Sequence, residues 1–106
     1  DEENLCNLTV MLKDMRKYKF TLIDAVKVFT KQRGEYIKLL IKTLKDGVRA
    51  EQIIHWNKSH EFIQEVSRTN IVVVDFQLHA KGTAIQVARA LEHAVSLCAG
   101  KEVLQP

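Results

Sequence analysis

Residues 71–76 read Ile-Val-Val-Val-Asp-Phe, four branched apolar residues running into a carboxylate and an aromatic ring. Such a run is too short for a helix of its own and apolar on both sides of a two-residue repeat, so it predicts a strand buried on both faces. A buried strand carries backbone donors and acceptors that have to be paired. The chain must supply a second strand, from residues 19–23 or 102–105, or borrow one from a second copy or another protein.

Elsewhere the apolar spacing favours helices. Leu5, Leu8, Leu12 and Met15 recur at three- and four-residue steps and predict a helix over 4–17, although Thr9 and Val10 also suit a strand. Thr21 is placed to cap a second helix, with Leu22, Val26 and Phe29 on one side, ending near Gly34. Tyr36, Ile37, Leu40, Ile41 and Leu44 form the clearest amphipathic pattern, with Gly47 placed to close that helix in the left-handed conformation. Ile53, Ile54 and Trp56, followed by Ser59 as a cap for Phe62, Ile63 and Val66, predict one bent helix or two short ones. Thr83-Ala84-Ile85-Gln86 has the capping-box form and opens a last helix that runs to Ala99 and stops at Gly100. The expected fold is therefore α+β and predominantly helical: four or five helices with one short buried strand. It is either winged-helix-like, with residues 49–57 in the recognition-helix position, or completes a sheet with a partner chain.

The 106 residues fit one domain, and a chain that starts on Asp1 rather than methionine reads as a piece of a longer protein. No apolar stretch approaches membrane-spanning length. Cys6 and Cys98 each fall inside an apolar pattern and read as buried reduced thiols in preference to one disulfide, which favours an intracellular setting, cytoplasm and nucleus alike.

Charge is the main functional signal. Between Lys13 and Arg49 eleven Lys and Arg face four acids, Asp14, Asp24, Glu35 and Asp46, a local excess of 11 − 4 = +7 in a chain whose net charge is +3. Lys38, Lys42 and Lys45 follow four- and three-residue steps opposite the apolar side of the third expected helix, and Lys27 and Lys31 do the same on the second. Such lines suit a non-enzymatic module that contacts the phosphates of DNA or RNA with little base reading. Lys81, beside Gly82 and ahead of the last helix, is a secondary contact. The stretch His79-Ala80-Lys81-Gly82-Thr83-Ala84-Ile85 is similar to the basic-Gly-x-Ala-Ile step entering the second helix of Alba-type nucleic-acid-binding proteins, a short resemblance that assigns no residue roles.

The alternative is a protein-interaction or homodimerisation domain. Ile71 and Val73 on the strand, with Ala84, Ala88, Leu91 and Val95 on the last helix, would then meet another chain or a second copy. His55 and His60 are five apart, no His-Glu-x-x-His occurs, and no phosphate-loop glycine pattern is present. Catalytic residues, a metal site and a cofactor are accordingly not expected.

Overall fold

The computed structural model describes residues 6–56 and 62–100. Among them the chain forms strands β1 (Asn7–Met11), β2 (Arg16–Thr21), β3 (Ala25–Arg33), β4 (Tyr36–Thr43), β5 (Val48–Trp56), β6 (Phe62–Thr69) and β7 (Ile71–Gln77), then one helix, α1 (Lys81–Ala99). All strand pairs are antiparallel and lie in two sheets, β1-β2-β5-β6 and β3-β4-β7.

The two sheets are halves of one folded ribbon. A 3-10 turn, Leu22–Asp24, separates β2 from β3, residues 44–47 separate β4 from β5, and Asn70 alone separates β6 from β7. These breaks are adjacent, because Leu44 N–H donates to Asp24 O at 2.9 Å and Thr43 N–H to Asn70 O at 2.9 Å. Thr21 Oγ1 accepts from Ile23 N–H at 3.3 Å and starts the first break. Gly47 shapes the second by its size: a Cβ there would meet Leu44 O and Thr43 Oγ1, each at 3.0 Å.

Alternation explains which residues go inward. On β4 Ile37, Leu39, Ile41 and Thr43 are buried, and Val72 of β7 stands opposite Ile41. Val28 of β3 joins them, and α1 covers this side of the second sheet with Ala88 and Val95. Phe20 and Val48 extend the same core into the first sheet. Each of the largest buried side chains contributes roughly 1.5–3 kcal/mol by leaving water. Gly100 (φ 65°) ends α1, its N–H donating to Ser96 O at 2.9 Å, the left-handed stop the sequence indicates. Cys6 and Cys98 form a disulfide, with Cα atoms 5.8 Å apart, that joins the start of β1 to the end of α1.

The expectation of a predominantly helical chain is overturned. Among the described residues the four or five helices reduce to α1, and the described parts of the segments read as helices over 4–17, 21–34 and 36–47 form β1 to β4 and the turns between them. The winged-helix arrangement falls with them, since its recognition-helix segment is β5. The strand at 71–76 is present as β7, and its partner among the described residues is β4, the segment with the clearest apparent helical spacing, not 19–23; the other in-chain candidate, 102–105, lies outside the described residues. The physical reason is that four-residue steps fit either period, and Leu39, left off the helical face, belongs with Ile37 and Ile41 on a strand face. Gly47 has no positive φ; Lys45 (φ 45°) takes the left-handed position instead. Thr83 is not the cap of α1, which starts two residues earlier with Ala80 as N-cap and no side-chain capping bond. The cysteines are not reduced thiols, because the fold brings the two ends of the described chain together. The expected caps and helix around Ser59 lie partly outside the described residues.

Candidate functional site

The face of the second sheet turned away from the buried row is built by register. Lys27 of β3 stands opposite Lys42 of β4, and Lys42 opposite Ile71 of β7. Two residues along, Phe29, Leu40 and Val73 form the next row, all half-buried. Lys31, Lys38 and Asp75 form the third, and Arg33, Tyr36 and Gln77 the fourth. Two cationic rows thus flank an apolar one, with Arg33 extending the charge toward the β3-β4 turn at Gly34 (φ 59°).

Five cations share this face with one carboxylate. Lys38 Nζ lies 3.0 Å from Asp75 Oδ1, and Lys27 Nζ stands 4.8 Å over the centroid of the Phe29 ring. Among the described residues no further ion pair ties the others. Side chains directly opposite on an antiparallel pair have Cβ atoms about 4.5–5.5 Å apart, and like charges in that position are destabilising. The Lys27/Lys42 and Lys31/Lys38 pairs are therefore a cost to the sheet, offset for Lys38 by Asp75 and for Lys27 by the Phe29 ring.

Beside this face lies a cleft of about 310 Å³ between the sheets. Ile71 and Val73 line one wall, and Arg16, Tyr18, Ala50 and Ser67 line the other. Arg16 is fixed there by Asp14, whose Oδ2 accepts from Nε at 2.7 Å.

The outer face of the first sheet is also basic, in a different arrangement. Lys19 of β2, Arg49 of β5 and Arg68 of β6 form one row, with Lys17, Glu51 and Val66 beside it. Glu51 accepts from Arg49 Nε at 2.9 Å and lies 3.9 Å from Lys19 Nζ. The hydrogen bond from Arg49, with the charges of Lys19, Arg49 and Lys17, holds its carboxyl below the ordinary value of 4.5 against the opposing effect of burial.

Of the residues singled out by spacing, Lys27, Lys31, Lys38 and Lys42 come together on the second sheet. Lys45 sits in the break between β4 and β5, and Lys81 opens α1; neither belongs to the cross-strand rows. Ile71 and Val73 lie on the basic face, while Ala84, Ala88 and Val95 are buried inside the chain and Leu91 packs against the core. The helical reading does not single out Arg33, and it assigns Phe29 and Leu40 to the apolar sides of expected helices instead of to a site. Their signal was alternation, Lys27-x-Phe29-x-Lys31-x-Arg33, followed after Gly34 by the matching Tyr36-x-Lys38-x-Leu40-x-Lys42. Among the described residues no three of His, Cys, Asp and Glu converge as metal ligands, and no helix is long and apolar enough to cross a membrane.

No family model, no curated protein and no solved structure matches this chain, so its function has to be argued from the face itself.

Proposed function

We propose that this chain is a non-enzymatic binding module that holds an extended polyanion against the outer face of β3-β4-β7. The observation that carries the reading is the pair of facing lysine couples, Lys27/Lys42 and Lys31/Lys38, with Arg33 on the same face and Asp75 as its carboxylate. Phosphate or sulfate groups spaced along a polymer would screen both couples at once, and the apolar row between them admits the sugar or base faces of such a polymer. DNA or RNA, contacted through phosphates with little base reading, is the ligand to which the lysine spacing points.

The Cys6–Cys98 disulfide supports an oxidising compartment, the periplasm, the secretory lumen or the cell exterior, and at the cell exterior sulfated polysaccharides would present the same spaced anions. Homodimerisation through the edge of β7, unpaired among the described residues, is the competing reading; of the helix residues grouped with it, Ala84, Ala88 and Val95 are buried and Leu91 packs against the core.

Fluorescence anisotropy with a labelled DNA duplex, a single-stranded RNA and a sulfated oligosaccharide, each at two salt concentrations, tests the proposal. Four engaged lysines predict a log-log salt slope of about −3 to −4 for duplex DNA. The strongest of the three ligands identifies the polymer. Failure of all three to bind at low salt removes the proposal, and a concentration-dependent dimer in sedimentation equilibrium without polymer binding puts the β7 edge in its place.

A further inference from the structure

We infer that Asn7 is an N-glycosylation site. Asn7-Leu8-Thr9 has the acceptor form Asn-x-Ser/Thr with a residue other than proline in the middle. The fold accommodates a sugar there. On β1 the alternation that sends Leu8 and Val10 toward the core leaves Asn7 and Thr9 exposed on the outer face of the first sheet. Facing Asn7 across the pair is Thr21, a short side chain, and β1 is an edge strand that pairs with β2 alone among the described residues. A glycan rising from this position meets solvent and obstructs neither a ladder nor the core.

The second observation is independent of the motif. Cys6, the residue before the acceptor, is bonded to Cys98, and disulfides of this kind form in the oxidising lumen where asparagine-linked sugars are attached. The donor is a lipid-pyrophosphate-linked oligosaccharide. Nδ2 of Asn7 forms the new bond to the anomeric carbon of the first sugar, and the bond from that carbon to the pyrophosphate oxygen breaks. The lipid pyrophosphate leaves with the electron pair, and the amide gives up one proton.

A glycan on Asn7 has a structural consequence: it shields the β1 edge and stands over the outer face of the first sheet, next to Lys19 across the ladder. The basic face of β3-β4-β7 bears no such acceptor among the described residues.

The sequence holds a second acceptor triplet, Asn57-Lys58-Ser59, outside the described residues, so the test is made in an Asn57→Gln background. The full chain is directed into the secretory pathway of a eukaryotic cell and read in total cell protein by intact mass and by digestion with an amidase that releases N-linked glycans. One glycan is expected, lost on digestion in heavy-oxygen water with a labelled aspartate left at position 7. Asn7→Gln and Thr9→Ala should abolish it, and Thr9→Ser should retain it. Because T9A and T9S leave the asparagine in place, they decide the matter even when the Asn7→Gln chain misfolds. An unmodified N57Q chain, or a glycan that survives T9A, overturns the assignment, and neither result bears on polyanion binding.

Discussion

The two sheets are both basic on their outer faces, yet they handle charge differently. On the first, Lys19, Arg49 and Arg68 make a single cationic row, and Glu51 sits beside it tied to Arg49 and Lys19. On the second, two cationic rows are held apart by Phe29, Leu40 and Val73, and the carboxylate of Asp75 is at the edge strand, engaged with Lys38 alone. Both faces hold cations directly opposite one another and one carboxylate; they differ in that Glu51 contacts two cations, Arg49 and Lys19, whereas Asp75 contacts Lys38 and leaves Lys27, Lys31, Lys42 and Arg33 outside any ion pair among the described residues. The lesson is that net charge ranks these faces poorly and the placement of the carboxylate within the rows separates them.

The largest effect is expected where the two halves are covalently joined. The Cys6–Cys98 bond spans a sequence separation of 92 and links the edge of the first sheet to the helix that covers the second. Closing a loop of that length contributes about 4–5 kcal/mol in the chain-entropy account, a large share of a small domain's stability. The double variant C6S/C98S should therefore lose most of its resistance to urea, and reductant should bring the native chain to the same midpoint. Equal midpoints with and without the bond would mean that core packing alone holds helix and sheets together.

Next in size is the direct contest between the faces. Lys27→Glu with Lys42→Glu turns one lysine couple into an acidic one and should weaken polyanion binding by roughly tenfold or more, with a salt slope shallower by about 2. Lys17→Glu with Lys19→Glu changes the same net charge on the first sheet and should cost less than about threefold. Anisotropy titrations of both variants at one low salt concentration make the comparison. A reversal of that order would transfer the binding site to the first sheet.

This contest also shows what the sequence displayed and where it misled. Lys27 and Lys31, and likewise Lys38 and Lys42, are four apart, a step that keeps two side chains together on a helix and on a strand alike. The grouping of these four was therefore legible even though the element carrying them was misread as helix. Lys45 was added by a three-residue step that only a helix satisfies, and it fell into the break between the sheets. Residues 37–43, Ile-Lys-Leu-Leu-Ile-Lys-Thr, carry a plain alternation obscured by Leu40, an apolar residue on the outward row. β7 and the end of α1 were legible because a β-branched run and a terminal glycine each act locally. The disulfide was not, since only the tertiary fold brings residues 92 apart in sequence into reach.

A smaller effect tests the line along which the sheets part. At Gly47 an added Cβ would press on Leu44 O and Thr43 Oγ1, and Thr43 is itself buried with a hydroxyl that finds no partner among the described residues. Gly47→Ala should destabilise the chain by about 1–2 kcal/mol, the crowding outweighing the entropy gained by removing a glycine. Gly82→Ala, where an added Cβ meets nothing within 4 Å, is the matched control and should be neutral or mildly stabilising. Thermal denaturation of the pair is sufficient, and equal midpoints would remove the steric account of the break.

The smallest effect concerns the counter-ion that distinguishes the faces. Glu51 titrates below its ordinary 4.5 in the folded chain because Arg49 and the neighbouring lysines favour its charged form, and in the unfolded chain that advantage is lost. A carboxyl with a lowered folded value binds fewer protons folded than unfolded as pH falls past 4.5, so its contribution is complete above 4.5 and disappears as pH drops through the folded value. Native chain should accordingly exceed Glu51→Gln in stability at neutral pH, and the gap should narrow steadily once the pH passes below 4.5. Urea midpoints from pH 7 down to the acid limit measure it, and a constant gap would show that Glu51 acts through packing instead of charge. The same variant sharpens the comparison of faces: with Glu51 neutral, Arg49 and Lys19 lose their internal partner, and the first sheet should gain polyanion affinity while remaining weaker than the second.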